Sequence, residues 1–231
     1  MSDNFDFDRA WLEKFSDCLD NFAGLEKRQE VIQGSQGLSS DSHRQEVIDW
    51  TIIAMDRLDV LLDAEKRIDI MTGCACQYPK SDLREIKDVY QESKDLKLGH
   101  QLLQDKFENF LRDTLALSEE MIADIISKGW GLAGTIQGNS IIATKIPKSG
   151  FLVAYMQEED PAIKRAYYCH CPRIRDALKN TISISPTYCY CGAGYYKGIW
   201  EEILGVPIKV EVLKSVLQGD EVCSVAVHLP L

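Results

Sequence analysis

No stretch of this chain approaches the roughly 18 consecutive apolar residues that a membrane-spanning helix requires, so no membrane partner is expected. Basic residues are in deficit: 26 Lys and Arg stand against 36 Asp and Glu, a net charge of −10. That balance argues against nucleic acid as a partner, because phosphate backbones are bound by cationic surfaces. The opening MSDNFDFDRAWLEKF lacks the basic and then apolar start of a secretory signal, and the expectation is a soluble cytoplasmic protein. Histidine is scarce, at four residues, which limits both imidazole ligation and Cys-His catalysis. The glycines of Cys191-Gly192-Ala193-Gly194 form only part of a phosphate-loop pattern, with no βαβ frame around them, which excludes a dinucleotide site.

Sulfur is present in excess. The chain holds eight cysteines, and in a reducing cytosol these are better candidates for metal ligands or reactive thiols than for disulfides. Seven of them sit in four places: Cys74-x-Cys76, Cys169-x-Cys171, Cys189-x-Cys191 and Cys223. On an extended strand, side chains at i and i+2 share a face, so each pair would present two sulfurs together. On a helix the same two positions lie about 200° apart and shared ligation would fail. Thiolates are the preferred ligands of zinc and of iron–sulfur clusters. The usual zinc knuckle is Cys-x-x-Cys, so Cys-x-Cys is a weaker signal, and the plainer reading is buried cysteines that pack as small hydrophobes. Three such units plus Cys223 favour a metal or a thiol site, with Cys169, Cys171, Cys189, Cys191 and Cys223 as candidate ligands. His170 would face away from its two cysteines on a strand, and Cys18 reads as core.

Periodicity divides the chain into a helical half and an α+β half. Asp8 to Phe22 reads as an amphipathic helix. Ser42 with Gln45 resembles a capping box opening a helix to about Met71, which Gly73 ends. Pro79 and Ser81 start another long helix reaching Leu111, and Ser118 caps a shorter one. Beyond Gly131 the spacing predicts a hairpin of NSIIATKIP with GFLVAYM, and a strand at AYYCHC. A helix follows from Pro172, and TISISPTYCYC is β-prone until Pro186. GAGYYKGIWEEILG reads as a helix closed by Gly205, and a final hairpin turns at Gln218-Gly219-Asp220.

Six tyrosines accompany the sulfurs between Tyr167 and Tyr196. They are either β-prone core and rim residues or the lining of an aromatic pocket, for which Tyr168, Tyr188, Tyr190 and Tyr195 are the candidates. Arg173, at a helix start, is either a partner for an anionic ligand group or a solvent-facing charge.

The segment CYCGAGYYKGIWEEILGVPIKVEVLKSVLQGDEVCSVAVHLP, from Cys189 to Pro230, resembles the C-terminal half of the 4-vinyl reductase domain family, which includes small-molecule sensor domains. The shared pattern falls on Cys189, Gly194-Tyr195, Gly205-Val206-Pro207, Gly219-Asp220 and Cys223. The resemblance implies an α+β domain over residues 115–231, preceded by a helical region over 1–114. It also implies a ligand pocket between helices and an antiparallel sheet, and a bound zinc with Cys189 and Cys223 as first and last ligands. The family's middle Glu and Cys ligands fall on Val212 and Ser215, so Cys169, Cys171 and Cys191 are the available substitutes, with Glu211 one residue out of register. The Cys-rich segment and closing Gly-Asp-x-x-Cys are also similar to L-2-amino-thiazoline-4-carboxylic acid hydrolases.

Three functional expectations follow. The first is a small-molecule-binding protein with a cysteine-ligated zinc beside a tyrosine-rich pocket. The second is a metal- or thiolate-dependent hydrolase, and the third an iron–sulfur protein. The acidic helical half would cover the pocket or form a homodimer interface.

Overall fold

The computed structural model describes residues 5–230. Among them are eleven α-helices and one four-stranded antiparallel sheet, an α+β architecture with most helices ahead of the sheet. No described helix is long and apolar enough to cross a membrane.

Helix α1 (Phe7–Ala23) is capped by Asp6, whose carboxylate accepts from the Arg9 N–H at 2.9 Å, and it buries Trp11, Phe15 and Leu19. After Gly24, at φ 84°, comes α2 (Leu25–Val31), a short helix that the periodicity does not reveal. The long helix expected to Met71 is two: α3 (Arg44–Leu61) and α4 (Ala64–Gly73). Leu62 adopts an extended conformation and Asp63 caps α4, so a local side-chain cap overrides the continuous apolar stripe. His43, rather than Ser42, caps α3. The next long helix is likewise divided, into α5 (Arg84–Ser93) and α6 (Leu96–Asn109), by left-handed Lys94 and the Asp95 cap. Helix α7 (Glu119–Ser127) is capped by Ser118 as expected.

The second half corrects the strand assignments. NSIIATKIP supplies β2 (Ser140–Thr144), but its hairpin partner is β1 (Thr135–Gln137), on its N-terminal side. GFLVAYM instead forms α8 (Leu152–Gln157), which buries Leu152 and Tyr155 and exposes Val153 and Met156. That i, i+3 burial is helical, and the β-prone composition concealed it. AYYCHC is no strand either: α9 (Pro161–Tyr168) runs into its start, and α10 (Pro172–Lys179) begins after Cys171. TISISPTYCYC joins no ladder; Ser185 and Thr187 donate to Asp59 at 2.5 and 2.7 Å and hold the segment against α3. Then come α11 (Tyr190–Leu204), β3 (Lys209–Lys214) and β4 (Ser224–His228).

Sheet order is β1-β2-β4-β3, with β4 pairing on both sides and buried from Ser224 to Val227. The apolar residues of α11, including Ile199, Trp200 and Ile203, pack on Ile141, Ala143, Val225 and Val227. A second core joins α1, α3 and α4 to Ile174, Ala177, Ile184 and Tyr188. The start of α11 therefore lies where helical half and sheet half meet.

Candidate functional site

The two extended residues flanking His170 create the first half of the site. Cys169 terminates α9 at φ −69°, ψ 132°, and Cys171 precedes α10 at φ −77°, ψ 123°. The predicted strand is absent, yet both residues are extended, so the two sulfurs still project together. His170 points elsewhere, its Nε2 lying 2.8 Å from the Ile146 carbonyl oxygen. Burial, then the positive charge of Lys145, hold its pKa down to about 3.

Cys189 and Cys191 behave differently. Cys189 has helical backbone angles, φ −68° and ψ −16°, and Cys191 lies in the first turn of α11. The helical divergence separates them, and they enter two different sulfur groups. Cys189 joins Cys169, Cys171 and Cys223: burial raises its pKa to about 12, with the Cys223 and Cys171 thiolates adding to the rise. Cys169 is raised by burial and then by Cys171, Cys223 and Cys189. Cys191 instead meets Cys74, Cys76 and Trp11.

One cation stands near five of them. Lys145, just beyond β2, lowers the thiol pKa of Cys169, Cys189, Cys191, Cys223 and Cys76. Its Nζ lies 3.5 Å from where a Cβ on Gly192 would be, beside the first turn of α11. A ring of hydrogen bonds sets its backbone: the Lys145 N–H donates to the Cys223 carbonyl at 3.0 Å, the Cys223 N–H donates to Tyr168 Oη at 3.0 Å, and that hydroxyl donates to the Lys145 carbonyl at 2.5 Å. Sequence reasoning missed Lys145 and Trp11, since no motif marks either.

Uncharged donors also face sulfur. The Ser215 hydroxyl lies beside Cys189, the Val216 N–H beside Cys223, and the Cys76 N–H and Trp11 indole beside Cys191, each favouring a thiolate. Trp11 Nε1 is buried and makes no hydrogen bond. Ser215, one of the two positions where the resemblance lacks a ligand, is thus adjacent to the sulfur group even though it cannot serve as one.

The proposed aromatic lining has other partners. Tyr168 and Tyr188 are 1% and 2% exposed and pack in the core, while Tyr190 and Tyr195 are half-buried. The Tyr188 hydroxyl lies 3.3 Å from Cys171 Sγ and accepts from Arg173 at the same distance. Arg173 is 2% exposed and pairs with Asp8 at 2.7 Å, so it is a core cation. Two clefts of about 510 and 530 Å³ lie elsewhere, one between α5 and α6 around Asp82, Asp105 and Phe110, the other beside α1 and residues 35–39.

A family model described as a family of unknown function (DUF6144) matches residues 152–230. No curated protein and no solved structure matches the chain. The matched segment carries Cys169, Cys171, Cys189, Cys191 and Cys223, but not Lys145, Trp11, Cys74 or Cys76, which complete their surroundings.

Proposed function

We propose that this chain is a metal-binding protein in which Cys169, Cys171, Cys189 and Cys223 hold one zinc ion. The observation that carries this reading is the gathering of four sulfurs from three separate segments, three of them beside Lys145. Among the described residues, no three His, Cys, Asp or Glu side chains stand in ready metal-ligand geometry. Side-chain rotation would therefore accompany binding. The donor set suits zinc, which takes four thiolates in closed structural sites. Lys145 would offset part of the negative charge of four thiolates, and the Ser215 hydroxyl and Val216 N–H would stabilise sulfur anions there. Bound zinc would supply a cross-link between the α9–α10 junction, the start of α11 and the segment before β4.

A hydrolase would need a general base beside the sulfurs. The carboxylates nearest in sequence are engaged elsewhere, Glu201 with Lys197, Glu202 with Lys80 and Lys87, Asp176 with Arg44, and Glu211 with His228, while Asp220, which faces Cys223, accepts from the Ser215 N–H at 2.8 Å. All eight cysteines are unpaired, which suits a reducing cytoplasm.

Elemental analysis of anaerobically purified protein tests the reading, with about one zinc per chain expected. Cys189→Ser and Cys223→Ser should lose the metal and melt at lower temperature, whereas Cys18→Ser should keep it. Metal-free wild-type protein would overturn the proposal, as would iron with sulfide, or full zinc content and unchanged melting in both variants. A second expectation concerns the hydrogen-bond ring. Tyr168→Phe removes the partner of the Cys223 N–H and the Lys145 carbonyl, at a cost of about 1–3 kcal/mol. Zinc retention against a chelator should weaken about 10–100-fold, as for other residues that orient ligands.

A further inference from the structure

On the other side of the first turn of α11 lies a second sulfur group, which the zinc reading does not use. The Cys74 thiol donates to the Met71 carbonyl oxygen at 3.4 Å, and its sulfur lies beside Cys191, which the backbone N–H of Cys76 also approaches. The three differ in access: Cys76 is exposed, Cys191 is half-buried and Cys74 is fully buried. We propose that Cys76, Cys191 and Cys74 form a thiol–disulfide exchange site. It would accept an external low-molecular-weight disulfide at Cys76 and hold the product as a bond between Cys74 and Cys191.

Packing holds these sulfurs together. Gly194, one turn after Cys191, lies so close to the end of α4 that an added Cβ would sit 2.7 Å from both the Thr72 Cα and the Ala75 Cβ. Helix α11 and the 72–76 segment are therefore in direct contact, with Cys191 and Cys74 on either side of it. Residues 76–79 carry no regular secondary structure, and Cys76 among them is exposed. Cys191 sulfur both attacks and leaves during exchange. Cys18 lies beside Gly73, near Cys74.

The exchange balances as follows. The Cys76 thiolate attacks one sulfur of RSSR, forming Cys76–S–S–R and expelling RS⁻. The Cys191 thiolate attacks Cys76 Sγ, forming Cys76–S–S–Cys191 and expelling the second RS⁻. The Cys74 thiolate then attacks Cys191 Sγ and regenerates the Cys76 thiolate. Two protein thiols become one disulfide, RSSR becomes two RSH, and the two thiol protons go to the released RS⁻. Cys74 and Cys191 sit on segments already in direct contact, so closing the bond calls for local movement and not refolding.

Oxidised glutathione is the probe. Reduced full-length protein is treated with it anaerobically, quenched in acid, alkylated, digested with trypsin and examined by mass spectrometry. The expected product joins the peptide 68–80 to the peptide 180–197, with fragment ions placing the bond at Cys74 and Cys191. Cys191→Ala should abolish this cross-link. Cys74→Ala should stop the reaction at a Cys76–Cys191 bond, and Cys76→Ser, a change on the surface, should slow formation of an otherwise identical product. A wild-type protein that carries only glutathione on Cys76, or whose disulfides form solely among Cys169, Cys171, Cys189 and Cys223, would overturn the proposal. Equal rates for Cys76→Ser and wild type would remove Cys76 from it.

Discussion

Arg173→Met is expected to destabilise the protein by about 3 kcal/mol, the lower end of the range for removing one partner of a buried ion pair. Arg173 Nη2 meets Asp8 Oδ1 at 2.7 Å, with side-chain exposures of 2% and 3%, and also donates to the Asp8 carbonyl oxygen at 3.2 Å. Its guanidinium lies 4.2 Å from the centroid of Trp11, which in turn stacks on Phe15 and Tyr188. Loss of Arg173 therefore removes a charge partner, a cation–π contact and the hydrogen bond to Tyr188. The cost stays at the lower end because Asp8 keeps Arg44 at 2.8 Å. Urea unfolding measures it, and a change below about 1 kcal/mol would show that the methionine packs as well as the pair it breaks. Asp8→Asn combined with Arg173→Met should cost less than the sum of the two single changes, because the residues are in direct contact. The pair also bears on the zinc reading, since Tyr188 bridges Arg173 to Cys171.

Gly194→Ala should cost about 1–3 kcal/mol by overpacking, and its atoms place it near the top of that range. The obstructing groups are the backbone of Thr72 and the short side chain of Ala75, neither of which can swing away. Relief requires α11 to move off α4, which would separate Cys191 from Cys74. The variant should therefore both melt earlier and form the Cys74–Cys191 cross-link more slowly. Gly150→Ala is the matched control: nothing lies within 4 Å of its added Cβ, and a change within about 0.5 kcal/mol is expected. Equal effects at the two glycines would mean that the contact at Gly194 relaxes without moving the helix.

Helix α1, α7, the last hairpin and the α+β class were legible because caps and apolar spacing act within a few residues of each other. The divisions at Asp63 and Asp95 were concealed by apolar stripes that continue across them. GFLVAYM misled for a related reason: branched and aromatic residues suit a strand or a buried helix face equally, and only the surface that Leu152 and Tyr155 meet decides between them.

For the sulfurs, spacing alone determined the local geometry: an i, i+2 pair converges when extended and diverges when helical. Cys169 and Cys171 follow the first case, Cys189 and Cys191 the second. Which case each pair adopts, and what lies opposite, belongs to the tertiary structure. Lys145 is 24 residues from Cys169 and Trp11 is 180 from Cys191, yet both act on those sulfurs because α1, α4, α11 and the end of β2 close around one point. Short-range spacing is written into the chain, whereas neighbours across such distances exist only once burial of the apolar helix faces has drawn the segments together.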